Sequence, residues 1–244
     1  SMLFTTSSPA PFDPTCPGIQ GEGAYIKEIN GLKQEYKGRL DILCGVEQDY
    51  YGPVDRARYD YIIGSVHYLK NAAGEFIAMD GSPEELLEIM QTVYGGDVLA
   101  MVRAHYDLVV DNARRYKPDI IGHFDLIVRH NRGNKLFDED SQAYRNMALS
   151  ALDAVIEAIN PYGGIIEVNT GGMNRGYRDF PYPAPELLRR MAEKKVRVMI
   201  NSDCHDATKM DAGFDEALEC VRQAGFTSLS VVNGGGFSDI PITE

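Results

Sequence analysis

Short apolar runs alternate with longer amphipathic stretches through most of the chain. The short runs are rich in Ile and Val and almost continuously hydrophobic, which is typical of strands buried on both faces. Strands are therefore predicted at 40–47, 61–67, 120–125, 165–169, 196–203 and 228–232. The amphipathic stretches predict helices at about 20–37, 83–93, 97–115, 140–159, 185–195 and 211–224. This alternation predicts an α/β fold built on a parallel sheet.

The clearest helix start lies at Ser82. This residue is a preferred N-cap, Pro83 suits the first helical position, and Glu85 closes a capping box. Residues 1–18, in contrast, are rich in Ser, Thr and Pro and predict an irregular segment. No internal repeat or long linker interrupts the chain. We therefore expect one domain over residues 1–244, with the alternating elements in 19–244.

The overall composition is that of an ordinary globular protein. Of the 244 residues, 44% are hydrophobic and 25% are charged. The formal charge of −12 at pH 7 disfavours nucleic acid and anionic membranes as partners, because dense Lys and Arg surfaces bind both. A small phosphorylated metabolite stays compatible with this charge, since it needs only a few local cations.

Neither a membrane span nor an export signal is predicted. No run approaches the roughly 20 apolar residues of a membrane-spanning helix, and no signal segment is recognised at the start. The four cysteines, Cys16, Cys44, Cys204 and Cys220, lack CxxC spacing and are interpreted as free thiols of a reducing compartment. We therefore expect a cytoplasmic protein.

Residues able to bind a metal or a phosphate follow five of the predicted strands. They are Glu47, His67, His123, Glu167 with Asn169, and Asp203 with His205. In a closed parallel barrel the carboxyl ends of the strands converge on one face, where such barrels have their active sites. Imidazoles and carboxylates that meet there form a site for Zn, Mn or Fe. The sequence predicts such a site from Glu47, His67, His123, Asp203 and His205.

Each of these residues also has an ordinary structural explanation. Glu47 could form a surface ion pair, and His67 and His123 could be hydrogen-bonded core histidines. Asp203 and His205 are more specific, because positions i and i+2 of a strand face the same side. The coincidence of all five at successive strand ends favours one metal-centred site. His105, within a predicted helix, is interpreted as structural or exposed, and His130 as a surface residue.

Four strings resemble, in their order, the motifs of the PHP (polymerase and histidinol phosphatase) superfamily. They are Gly64-Ser65-Val66-His67, Gly122-His123-Phe124-Asp125, Glu167-Val168-Asn169-Thr170 and Ser202-Asp203-Cys204-His205. Two further strings, Gly45-Val46-Glu47-Gln48-Asp49-Tyr50 and Pro181-Tyr182-Pro183, are similar to the histidinol-phosphatase branch. The resemblance runs from about Phe4 to Phe226.

The resemblance implies a distorted (β/α)7 TIM-like barrel that holds up to three divalent metal ions. It implies that Glu47 bridges two ions, that His67 and His123 complete one of these sites, and that Asp203 and His205 bind a second and a third ion. It also implies that Arg129 and Arg175 hold the substrate phosphate, for which planar guanidinium groups are suited. Asp203 or His205 would then protonate the leaving alkoxide.

The chain departs from the family pattern at its beginning. The family starts with a strand that ends in His-x-His, and no His-x-His occurs here. The stretch from Phe4 to Asp13 resembles the second motif, with Thr6 and Ser7 in place of its Asp and His. The first strand and helix are therefore expected to be missing, leaving fewer than three metal sites complete. An exposed strand edge would then produce an open cleft or a homo-oligomer.

The predicted function is metal-dependent hydrolysis of a phosphomonoester, most specifically histidinol phosphate in histidine biosynthesis. One alternative is a degenerate relative that binds a metal or a phosphorylated small molecule without turnover, because ligands are missing. Another is a nuclease or proofreading domain of the same superfamily, which the acidic composition disfavours.

Overall fold

The computed structural model describes residues 6–7, 21–233 and 236–242. The strands are β1 Thr6–Ser7, β2 Gly45–Asp49, β3 Tyr61–Ser65, β4 Tyr68–Lys70, β5 Phe76–Ala78, β6 Ile120–Ile121, β7 Ile165–Asn169, β8 Arg197–Asn201, β9 Ser228–Asn233 and β10 Gly236–Pro241. The helices are α1 Glu22–Glu35, α2 Pro83–Tyr94, α3 Val98–Tyr116, α4 Gln142–Ile159, α5 Gly171–Asn174, α6 Pro185–Glu193 and α7 Phe214–Ala224.

A six-stranded sheet forms the centre of the molecule. Its order is β1-β2-β3-β6-β7-β8, and every neighbouring pair is parallel. Helices α2 to α4 and α6 connect or follow these strands, so the predicted α/β fold with a parallel central sheet is confirmed. Within the described residues, β1 and β8 have one neighbour each in this sheet.

The outer face of the sheet carries the main hydrophobic core. Ile121, Ile166 and Val198 are almost fully buried there and pack with helices α3, α4 and α6. Because side chains alternate along a strand, their neighbours in sequence point to the opposite, inner face. Helices α2, α3 and α4 begin with a side-chain cap. The predicted capping box of α2 is present, with Ser82 accepting from the Glu85 amide and Glu85 accepting from the Ser82 amide.

The inner face is apolar at one end of the strands and polar at the other. Tyr61, Ile63, Ile120, Ile165 and Met199 form an apolar cluster that also contacts Phe237. One alternation further along, the strands place Glu47, Ser65, Glu167 and Asn201 instead. Helix α1 adds Tyr25, whose hydroxyl donates to the carbonyl of Gly45 at 2.8 Å. The polar end of this inner face contains the candidate site.

Several elements differ from the prediction. The segment 228–232 was expected in the parallel sheet, but β9 pairs antiparallel with β10 in a separate two-stranded sheet. The stretch 236–241 carries Gly, Ser, Asp and Pro and gave no strand signal, so this partner of β9 was missed. The hairpin of β4 and β5 was also missed. Strand β6 ends at Ile121, whereas the prediction extended the strand to residue 125.

The N-terminal segment was predicted to be irregular over 1–18. Residues 6–7 contradict this, because Thr6 pairs with Glu47 and Ser7 with Gln48 in parallel register. The backbone of β2 provides the ladder that makes these residues extended. The other residues of 1–18 lie outside the described part. In the portion of the chain that the structure describes, no helix combines the length and apolarity needed to cross a membrane.

Candidate active site

Two imidazoles and one carboxylate converge at the carboxyl ends of β2, β3 and β6. The Nε2 atoms of His67 and His123 lie 3.1 Å apart. Oε1 of Glu47 is 3.1 Å from Nε2 of His123 and 3.3 Å from Nε2 of His67. The three ligand atoms lie within 4.8 Å of one another, and these residues form a group that could hold a metal ion. We refer to Glu47, His67 and His123 as the histidine cluster.

Neighbouring polar groups orient the first two members of the cluster. Ser65 donates its hydroxyl to Oε1 of Glu47 at 2.7 Å. His67 follows β3, and its backbone N–H donates to Oδ2 of Asp49 at 2.9 Å. The same carboxylate oxygen lies 3.3 Å from Nδ1 of His67. A carboxylate on the second ring nitrogen directs Nε2 outward, as in the outer shell of many metal sites.

His123 depends on two close backbone approaches. Strand β6 has ended by this point, and Gly122 donates its N–H to the carbonyl of Gly64 at 3.0 Å. A Cβ atom on Gly122 would lie 2.4 Å from Oγ of Ser65, so glycine is required for the packing. The backbone N–H of His123 then donates to Oε2 of Glu167 at 2.8 Å.

The electrostatics of the histidine cluster favour a carboxylate beside protonated imidazole. Burial raises the pKa of Glu47, but His67 and His123 lower it more strongly, so its pKa lies well below the ordinary value. Burial lowers the pKa of His67, but Glu47 and Asp49 raise it well above the ordinary value. A divalent cation could replace the protons that the two imidazoles share with Glu47. Imidazole and carboxylate are common ligands of Zn, Mn and Fe.

The remaining predicted ligands lie together at a second position. Nη1 of Arg175 is 3.3 Å from Oδ2 of Asp203, and Nη2 donates to the carbonyl of Asp203 at 2.7 Å. The same Nη2 lies 3.0 Å from Nδ1 of His205. We refer to Arg175, Asp203 and His205 as the arginine cluster. Its side chains are more exposed than those of the histidine cluster, with 53% exposure for His205 against 6% for His123.

The local backbone of Asp203 differs from the expectation. Alternation along a strand was to place Asp203 and His205 on one side, but β8 ends at Asn201. Asp203 has φ +46°, a left-handed conformation that is uncommon for a residue with a side chain. Its Oδ1 and Nδ1 of His205 are nevertheless 3.9 Å apart. A turn, and not strand alternation, therefore brings the two side chains together.

A cavity of about 400 Å³ joins the two clusters. Glu47, Asp203 and His205 all line it, so one carboxylate of the histidine cluster faces the arginine cluster across the same space. The opposite end is apolar and is lined by Tyr25, Ile29, Tyr61, Ile63, Ile120 and Met199. This combination of a mainly apolar wall and a few converging polar groups is typical of a small-molecule site.

The second predicted phosphate ligand, Arg129, lies outside the arginine cluster. Its guanidinium stacks over the ring of Tyr177 at 4.5 Å. Burial and Asp125 raise the pKa of Tyr182, whereas Arg129 and Arg175 both act to lower it. The two guanidinium groups therefore lie within electrostatic reach of the same buried phenol.

Other residues were overlooked or turned out to be structural. Asp49 and Ser65 lie in the quoted motifs but were given no role, although Asp49 follows Glu47 by two residues on the same strand. Asp49 is 2% exposed. His105 is buried, and its Nε2 lies 3.2 Å from the carbonyl of Phe124. Of its two predicted roles, structural or exposed, the structural one is confirmed. His130 is half-buried, not a surface residue, with Nε2 2.7 Å from the carbonyl of Gly81.

Comparison with known structures supports the fold. A candidate histidinol phosphatase from Listeria monocytogenes superposes with a TM-score of 0.69 at 20% identity, covering 88% of this chain and 86% of the other. Histidinol phosphate phosphatase from Lactococcus lactis, complexed with Zn, L-histidinol and phosphate, gives a TM-score of 0.56 at 18% identity, with coverages of 89% and 80%. At these identities the likeness concerns the fold.

Sequence relatives carry the same family name. The "probable histidinol-phosphatase" of Deinococcus radiodurans is 32% identical over 209 residues, which are 82% of this chain and 72% of the relative. The histidinol-phosphatase of Bacillus subtilis is 28% identical over 246 residues, covering 90% of this chain and 87% of the relative. No protein-family model matches the chain. With this identity over most of both lengths, the chain belongs to the histidinol-phosphatase family, the branch of the PHP superfamily that its motifs resemble.

Proposed function

We propose that the chain is a metal-dependent phosphomonoesterase that hydrolyses histidinol phosphate. The observation that carries this proposal is the histidine cluster, whose carboxylate lines one cavity together with Asp203 and His205, in a chain of the histidinol-phosphatase family. The Lactococcus lactis protein of similar fold was crystallised with Zn, L-histidinol and phosphate, which supports the same ligands here. A small phosphorylated metabolite is thus the proposed partner.

The proposed architecture is a distorted TIM-like barrel of the PHP type, within a single domain. The parallel order of the sheet supports this architecture. So does the inner face, which is apolar at the amino ends of the strands and polar at the carboxyl ends, as in barrel enzymes. Among the described residues β1 lies at one edge of the sheet, and this edge is the proposed contact for a second copy of the chain.

The histidine cluster would hold the best-defined metal ion. Its donor set fits Zn, Mn or Fe, and a bound divalent ion would polarise the phosphate and lower the pKa of a water molecule. Asp203 and His205 would contribute to any further ion, with fewer than three ions in total. Asp203 or His205 is the proposed proton donor to the leaving alkoxide, because both line the cavity beside the arginine.

Arg175 and Arg129 are the proposed ligands of the phosphate. Arg175 is bonded to Asp203 and His205, so phosphate would replace these weaker acceptors and leave both residues available for proton transfer. Arg129 would add a second guanidinium from the side of Tyr177. Positioning and charge neutralisation of this kind are the main contributions that a protein makes to phosphoryl transfer.

Metal content and phosphate release, measured on the same samples, test the proposal. The purified protein should bind Zn²⁺ or Mn²⁺ and release phosphate from histidinol phosphate. His123→Ala should lose both properties, because it removes one of three converging ligands. His130→Gln is the matched control, since it removes an imidazole outside the histidine cluster. Metal binding without turnover in the wild-type protein would favour the alternative of a degenerate binding protein.

A further inference from the structure

Glu167 is a buried carboxylate at the polar end of the inner face. It lies on β7, is 4% exposed, and lines the cavity between the two clusters. It accepts three hydrogen bonds, from the His123 backbone N–H at 2.8 Å, from Asn169 Nδ2 at 3.1 Å and from Asn201 Nδ2 at 2.9 Å. Neither the metal ligands nor the phosphate ligands proposed above include it.

One oxygen of Glu167 replaces a missing strand partner for His123. The ladder between β6 and β7 pairs Ile120 with Ile165 and Ile121 with Ile166, and it stops there. Beyond this point the His123 amide has no backbone acceptor on β7, and Oε2 of Glu167 takes that place. Because the imidazole of His123 extends from this backbone position, the carboxylate sets where Nε2 enters the histidine cluster.

The other contacts of Glu167 lead towards the arginine cluster. Asn201, the last residue of β8, donates to Oε1 of Glu167 and lies two residues before Asp203. Asn169, which donates to Oε2, accepts the N–H of Gly171 on its own Oδ1 at 2.8 Å. A Cβ atom on Gly171 would lie 2.8 Å from Oδ2 of Asp203. The network therefore reaches the carboxylate of the arginine cluster.

The charge of Glu167 is unusual for a residue that only stabilises the fold. Its three recorded donors in the described residues are neutral amides, and none is a cationic side chain. Burying a carboxylate that accepts no hydrogen bond from a cationic side chain is costly. Glu139 shows the ordinary structural arrangement, because both of its oxygens accept from the guanidinium of Arg178. The position of Glu167 between the two clusters explains why a carboxylate is buried there despite this unfavourable free energy.

We propose that Glu167 is a positioning residue that fixes the distance between His123 and the Asp203–Arg175 pair. This inference rests on the proposed function, since the two clusters have to act on one substrate. Glu167 accepts hydrogen bonds from His123 on one side and from Asn201 on the other, so it holds the two clusters at a fixed separation. Its replacement should therefore impair catalysis even where the metal and the substrate are saturating.

Glu167→Gln is the principal test variant, because it preserves size and removes one acceptor oxygen. Its amide NH2 would face either Asn201 alone or both the His123 N–H and Asn169. Outer-shell substitutions of this kind commonly weaken metal affinity by about 10–100-fold. We expect such a loss for Mn²⁺ in equilibrium dialysis, and a fall in kcat of at least about tenfold with added Mn²⁺, since small misplacements of reacting groups are costly. KM should change by less than about threefold, because the arginines are retained.

Glu139→Gln is the matched control. It alters a carboxylate outside the cavity, so it should lower thermal stability while leaving Mn²⁺ affinity and kcat near the wild-type values. Should Glu167→Gln fold poorly, Glu167→Asp keeps the charge but withdraws it by one methylene, and we expect the same loss of Mn²⁺ affinity. A folded Glu167 variant with wild-type Mn²⁺ affinity and kcat would overturn the proposal.

Hydrogen exchange separates this inference from the proposed function. In the metal-free protein, the His123 amide should exchange at least about tenfold faster in Glu167→Gln than in wild type, because a neutral amide group replaces the charged acceptor. The amide should be unchanged in Glu139→Gln. If the wild type released no phosphate but the Glu167 variant showed faster exchange and weaker Mn²⁺ binding, the proposed function would fail and the positioning role would stand. Unchanged exchange would contradict the positioning role alone.

Discussion

The two halves of the cavity are organised in different ways. In the histidine cluster, each member is held by a partner that is itself buried or on a strand, such as Asp49 beside His67 and Glu167 beside His123. In the arginine cluster, Asp203 and His205 follow the end of β8 and are held mainly by the half-exposed side chain of Arg175. One half has a preorganised donor set, whereas the other is an ion-paired turn.

This difference separates two tasks that a phosphatase needs. Metal binding requires donor atoms whose positions are fixed before the ion arrives, which the histidine cluster provides. Phosphate binding and proton transfer require groups that can exchange partners during the reaction. Arg175, which contacts a carboxylate, a carbonyl and an imidazole, has partners that a phosphate can replace.

The largest expected effect distinguishes the halves by metal affinity. Glu47→Gln should weaken Zn²⁺ or Mn²⁺ binding by about 100-fold or more, because it removes the carboxylate that touches both imidazoles. Asp203→Asn should weaken it by less than about tenfold, since within the described residues Asp203 belongs to no group of three possible ligands. Equilibrium dialysis with both variants gives the comparison. Equal losses in the two variants would show that the clusters share one ion.

The difference between the halves also explains what the sequence could predict. Glu47, His67 and His123 were found because each follows an apolar run, and strand ends of a parallel sheet meet at one edge. Their supporting groups depend on register between strands, such as Glu167 opposite the end of β6, and no single run of sequence contains that information. Asp adopts the left-handed region more often than most residues with a side chain, but the residue type alone does not locate the turn at Asp203.

The fold shows the same limit. Helices that bury one face, such as α3 and α4, were placed within a few residues, because their periodicity is local. The pairing of β9 was wrong, since a strand pattern indicates an extended segment but not its neighbour. Local sequence patterns therefore predict the helices, strands and candidate ligands, whereas the pairing of the strands depends on tertiary contacts.

The next effect concerns the phosphate and the arginine cluster. Arg175→Met should lower kcat/KM for histidinol phosphate by about 10–100-fold, because a charge-assisted hydrogen bond to the substrate is lost. Metal affinity should stay near the wild-type value. Arg132→Met is the control, since Arg132 is exposed and paired with Asp179. A loss confined to metal affinity would place Arg175 with the histidine cluster instead.

A smaller effect is the pH dependence of stability that comes from His105. Its Nε2 lies 3.2 Å from the carbonyl of Phe124, the residue after His123. Burial lowers the pKa of His105 to about 3, against about 6.5 in the unfolded chain. Below pH 6.5 the unfolded state therefore takes up a proton that the folded state excludes, and the free energy of unfolding falls. At pH 5 this loss is about 2 kcal/mol.

His105→Gln isolates this contribution, because other titrating groups are common to both proteins. The stability of the variant relative to wild type should improve by about 2 kcal/mol between pH 8 and pH 5. Urea unfolding at both pH values, without added metal, measures the change. Parallel pH profiles for the two proteins would mean that His105 is protonated in the folded state.

The smallest expected effect comes from Gly171, which lies against the arginine cluster and Asn169 but not against the histidine cluster. A Cβ atom there would be 2.6 Å from Nη1 of Arg175 and 2.8 Å from Oδ2 of Asp203, so both side chains must move away from it. Gly171→Ala should reduce kcat by about threefold to tenfold and leave metal affinity unchanged, since small displacements of reacting groups are costly. Gly31→Ala, at a helical site with open space, is the control. Reduced metal affinity in Gly171→Ala would show that displacement in one cluster reaches the other, as the Glu167 network allows.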